Sequence, residues 1–115
     1  MSQWQTIYRH LRNKGFDVYS PGQHTGDCTA PYVVIRDAGV SRPFEFSSVQ
    51  AVYDILCYVP QDQFSTLEPY VNSVEEAMKG LYPAVISMHF RTPSFLDDTI
   101  KGHMVSTQYR NNRKL

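Results

Sequence analysis

The chain has 115 residues, 42% of them hydrophobic and 19% charged, which suits one folded domain over 1–115 and excludes a disordered chain. Eleven basic residues cancel eleven acidic ones, so bulk charge argues against a general polyanion binder. Two cysteines, Cys28 and Cys57, make neither a disulfide framework nor a zinc spacing.

The first residues carry no basic stretch followed by an apolar core, so no signal peptide is expected. No apolar run approaches the length of a membrane span. A first helix is predicted over 3–14, with Ser2 and Gln5 at capping-box spacing and Trp4, Ile7, Tyr8 and Leu11 on one face. Gly15 stands where a left-handed cap is wanted. A short extended piece, 16–19, leads into a loop, 20–31, that holds Pro21, Gly22, Gly26 and Pro31. The run 32–36 reads as a strand, and a turn is expected to begin at Asp37.

The longest strand signal is 48–59. Val49, Ala51, Tyr53, Ile55, Cys57 and Val59 alternate with a mixed set, so one face packs on helices and the other is partly wet or meets another subunit. Pro60 ends that strand. A second helix is predicted over 64–81, with a capping box at Ser65 and Glu68 and a stripe of Phe64, Leu67, Val71, Val74, Met78 and Leu81. Gly80 is its expected stop. Strands at 83–90 and 103–110 flank a polar loop, 91–101, and a polar tail, 111–115, is expected to fray. The predicted fold is α+β in the order α-β-β-β-α-β-β, a small, mostly antiparallel sheet with two amphipathic helices on one face.

Catalytic and metal chemistry find little support in the residue pattern. His10, beside Arg9 and Arg12, reads as solvated, His24 lies in the long loop, and His89 and His103 become neighbours if their strands pair. No metal-ligand spacing is present. Cys28 with His24 is the one sequence-local nucleophile pair, and a free thiol in a mobile loop is the blander account of Cys28. Adjacent Asp97 and Asp98 suit a turn cap or salt bridges better than an acid–base pair working across a cleft. Segment 21–26 lacks the lysine of a phosphate loop. The tail carries one basic cluster, Arg110, Arg113 and Lys114, which is either a solvated end or, in a ring, a channel lining.

The opening helix, the long strand ending in Val59 and Pro60, the helix over 64–81 and the closing segment Phe95-Leu96-Asp97-Asp98-Thr99-Ile100-Lys101-Gly102-His103 together resemble the tail terminator, or tail-to-head joining, family of long-tailed bacteriophages. This is the family of the lambda minor tail protein U, and the likeness covers nearly the whole chain through element order more than through any single motif. The resemblance implies a structural, non-enzymatic protein with no cofactor and no metal. It is expected to form a hexameric ring that caps the tail tube and meets the head connector or stopper protein. DNA would only pass through the ring. The place is the head–tail junction of the virion, made in the host cytoplasm, with no membrane partner. Under this resemblance Arg42, Phe44, Phe95, Asp97, Asp98 and Lys101 are the docking candidates, and Arg110, Arg113 and Lys114 the channel candidates. The serious alternative is a head-completion or stopper protein of the same junction. A small-molecule enzyme requires a deep pocket with converging polar groups, and a nucleic-acid module requires a basic stripe.

Overall fold

A computed structural model describes residues 3–41, 48–111 and 113–114, with 39–41, 48–50 and 113–114 as backbone only. The first helix, α1, is Gln3–Asn13, and it buries Ile7 and Leu11. It ends in a Schellman motif: Phe16 N–H donates to Leu11 O at 3.1 Å, Gly15 N–H donates to Arg12 O at 3.0 Å, and Gly15 has φ +95°. Ser2 of the expected N-terminal capping box lies outside the described residues.

The strands are β1 (Val18–Tyr19), β2 (Tyr32–Ser41), β3 (Ser48–Pro60), β4 (Val85–Arg91), β5 (Phe95–Asp97), β6 (Gly102–Asn111) and β7 (Arg113–Lys114). The sheet runs β1-β2-β3-β6-β4, with β5 also on β6 and β7 on β3. Every pairing is antiparallel except β1 with β2. β2 continues to Ser41, past the turn expected at Asp37, because a bulge between Asp37 and Gly39 absorbs the irregularity inside the strand.

The alternation read in β3 matches the burial. Tyr53, Ile55, Cys57 and Val59 are buried, while Val52, Leu56 and Tyr58 on the other face are half-covered. Against the first set pack Val33, Ile35, Val105 and Tyr109 of the neighbouring strands. Both helices close this face. The second helix, α2 (Leu67–Met78), contributes Leu67, Val71, Val74 and Met78, spaced by four, three and four residues. Each such fully buried aliphatic side chain contributes about 2 kcal/mol through water-excluded apolar area. The α+β class and the one-sided helix layer are therefore observed.

Several local expectations are corrected. The chain winds as a 3-10 turn through Gln61–Thr66 before α2 begins, so Phe64 leaves the helical stripe and stands 54% exposed. The Ser65–Glu68 capping box is not formed; Thr66 occupies the cap position with no side-chain cap bond, and its hydroxyl donates to Gln63 O instead. Gly80 sits in a second 3-10 turn, Lys79–Leu81, rather than in a left-handed cap. Its missing side chain serves packing: a Cβ there would lie 2.8 Å from the His10 ring. His10 itself is half-buried rather than solvated, and its Nε2 bonds Ala77 O at 2.7 Å, tying α1 to the end of α2. The tail does not fray at Asn111, which is buried and accepts Ala51 N–H through Oδ1 at 2.8 Å, and β7 continues the ladder beyond it.

Candidate protein interface

The segment 91–101, expected as a loop, contains β5, and β5 with the turn after it carries four candidates, Phe95, Asp97, Asp98 and Lys101. Phe95 lies opposite Met104 on β6, Met104 opposite Tyr58 on β3, and Tyr58 opposite Tyr32 on β2. Directly opposed residues share a face, so these four form one row across the sheet on the side away from the helices. Tyr32 and Tyr58 stack at 4.7 Å, and His24 stacks on Tyr32 at 4.0 Å. Phe95 ends the row 55% exposed. Beside the row lies a hollow of about 260 Å³ between His24, Tyr32, Arg36, Tyr58, Asp97 and Ile100. Burial raises the phenol of Tyr58, with nearby Asp97 adding to the effect.

The turn after β5 is held from several sides. Asp97 Oδ1 accepts Thr99 N–H at 3.0 Å, the turn-capping role that its sequence position suggested. Cys28 N–H donates to Ile100 O at 2.6 Å, and Gln61 N–H donates to Lys101 O at 3.0 Å. Lys101 adopts a left-handed φ of 55° and places Nζ 3.8 Å from Asp27 Oδ2. Asp98 is exposed at the tip. The loop 20–31, the first 3-10 turn and the 98–101 turn are thus clasped at one end of the sheet, and that end presents Phe95, Asp98 and Lys101 on a fixed base.

The remaining candidates are not part of this cluster. Arg42 and Phe44 lie outside the described residues, as do the side chains of Arg113 and Lys114. The end of β2 and the backbone of β7 lie at the other end of β3: Ser41 pairs with Gln50, and Ser48 and Val49 pair with Lys114 and Arg113. Arg110 is half-buried, opposite Val52 and Ile86, also toward that end. β3 has 13 residues. At strand rise that is roughly 40 Å, and the longest extent of the molecule is 47 Å. The described docking candidates, Phe95, Asp97, Asp98 and Lys101, therefore share one end of the sheet, and the channel candidate Arg110 and the backbone of β7 lie toward the other.

Sequence reasoning missed a third surface, along β4. Tyr82 (70% exposed), Met88 and Phe90 crowd this edge. Between β4 and α2 runs a groove of about 490 Å³ lined by Glu75, Met78, Tyr82, Val85 and Tyr109. His89, with φ 54°, sits in a bulge between Ser87 and Arg91, and so does not meet His103 across the ladder. Arg91 returns to the sheet and bonds Glu75 and Asn72 of α2. The signal was present in the run 85–90, whose large apolar residues exceed what one buried face can take. Also missed was the Arg36–Asp54 ion pair on the helix-free face, where the Asp54 side chain is buried.

The nucleophile candidate is corrected. Cys28 is buried, 4% exposed, rather than a free thiol in an open loop. Burial raises its thiol, the opposite of activation, and its Sγ faces Ala30 O. The His24 ring is engaged with Tyr32 and edge-on with Tyr19. Among the described residues no group of three His, Cys, Asp or Glu side chains is placed to hold a metal ion, and no helix is long and apolar enough to cross a membrane. No protein-family model matches the chain, and no curated protein matches it significantly.

Proposed function

We propose that this chain is a structural protein of phage virion assembly that caps the tail tube as a ring and forms the surface joining tail to head. The observation that carries the proposal is the two-ended layout. A long sheet presents Phe95, Asp98 and Lys101 on a clasped turn at one end and Arg110 and β7 toward the other. A joining protein must meet two different partners on two opposite sides, and a subunit built along one axis supplies both. Docking is then a matter of repeated modest contacts, strengthened by the number of subunits. On this proposal the chain is not an enzyme, needs no cofactor, and works at the head–tail junction while DNA passes through.

The test is charge reversal at the clasped end. Asp98→Lys alters an exposed tip and leaves the turn cap of Asp97 in place; Asp97→Lys/Asp98→Lys removes both. Joining of tails to heads, counted by electron microscopy in an assembly extract, is expected to fall about tenfold or more for Asp98→Lys, as loss of a repeated charged contact requires. Far-ultraviolet circular dichroism should be unchanged. Intact joining by the double variant overturns the role of this end. Binding to connectors but not to tubes turns the assignment to a stopper.

A further inference from the structure

We infer that the β4 edge and its groove dock against the α1–β2 side of a second copy of this chain, in a head-to-tail contact. The inference deepens the ring proposal by naming which surfaces meet.

Among the described residues, both lateral edges of the sheet are open. β4 has β6 on one side and, among the described residues, no strand on the other. β1 covers β2 only at Val33 and Val34. Beyond these, the Trp4 indole N–H donates to Ile35 O at 2.9 Å, and no described strand flanks the rest of β2. Successive antiparallel pairings from β2 through β3 and β6 make β2 and β4 run in opposite directions. A neighbour in the same orientation therefore offers β2 antiparallel to β4, the sense in which main-chain bonds form most readily.

The flanking helices say which edge meets which. α1 carries Arg9 and Arg12, both exposed, and no acid. Arg12 lies over the Tyr8 ring, which stacks on Trp4 beside the β2 edge. α2 carries Glu68, Glu75 and Glu76 and no base. Lys79 and Arg91 offset two of these three acids, so the β4 side keeps an acidic surplus. A two-fold pairing of β4 with β4 sets acid against acid. A head-to-tail pairing sets the basic α1 side against it and brings the Trp4–Tyr8 stack toward the groove with Tyr82 at its mouth. Rim charges of this kind choose partner and register more than they add affinity. Such a contact is heterologous and closes into a ring if its rotation closes. With the ring axis along the strands, the two ends of the sheet become the two faces of the ring.

The experiment uses two charge-reversed forms of the full chain, Arg9→Glu/Arg12→Glu and Glu68→Lys/Glu76→Lys, followed by light scattering over a concentration series at low and high salt. The wild type is expected to self-associate, and to do so less as salt rises. Each variant alone is expected to associate about tenfold more weakly or worse, and an equimolar mixture to recover the wild-type mass, because the reversed sides then match. Three results overturn the inference. One is a wild-type monomer up to about 1 mM at low salt. Another is a mixture that stays dissociated while circular dichroism shows both variants folded. The third is normal association of the Arg9→Glu/Arg12→Glu form, which indicates a symmetric β4 contact. A monomer in this assay is separate from failure to bind tail tubes, which is what bears on the joining role itself.

Discussion

Cys57 shows how one side chain couples the core to pH. It lies fully buried in the middle of β3, and burial pushes its thiol from 9.0 up to about 12. The unfolded chain releases this proton near pH 9 while the folded chain holds it to about 12. Over that interval the unfolded state binds fewer protons, so stability falls as pH rises. Below about pH 9 the contribution is complete. Buried Tyr32 and Tyr109 and half-buried Tyr70, all raised by desolvation, act in the same direction at higher pH. Urea unfolding between pH 8 and pH 12 is therefore expected to show a falling stability whose slope is reduced in Cys57→Ala. An unchanged slope in that variant would show that the thiol does not carry the effect. The burial of Cys57 was legible from its place in an alternating apolar run. The burial of Cys28 was not, because it is created by Ile100 and Gly102, more than seventy residues away in sequence.

At the scale of elements, local pattern succeeded where local physics decides. The period-two run of β3, the buried spacing of α2 and the glycine after α1 each state their structure within a dozen residues. It failed where a distant partner decides. Ser65 and Glu68 have capping-box spacing, yet the turn over Gln61–Thr66 is bonded to Lys101 and winds as 3-10. β5 is three residues long and exists by pairing with β6, so it leaves almost no signal of its own. The clasp between the 20–31 loop and the start of β6 is where such a contact is tightest. A Cβ at Gly102 would stand 2.8 Å from Cys28 Cβ and 3.2 Å from Val59 O. Gly102→Ala is expected to cost about 1–3 kcal/mol in urea unfolding by overpacking. It should also weaken binding at the Phe95–Lys101 end before it disturbs the helices. An equally stable variant would mean that the clasp is loose and that the turn is not a fixed platform.

The whole molecule is neutral in sum, with eleven charges of each sign, but polar in arrangement. Basic α1 lies over the β1–β2 side of the sheet and acidic α2 over β3 and β6, and the clasped turn and β7 mark opposite ends of the sheet. Composition alone concealed this, because the sum cancels what the fold separates. Sequence points to the candidate residues one by one, and the separation of the Phe95–Lys101 turn from β7 follows only from strand register. The lateral surface at β4 was not foreseen at all, since an exposed edge depends on which strand ends the sheet. The most direct measurement of the proposed role adds the purified chain to the tail tubes of a long-tailed phage and images the tubes by negative stain. The account predicts a single ring at one end of each tube and an arrest of further tube growth. Tubes that lengthen unchanged with bare ends, or protein scattered along the tube wall, would contradict it.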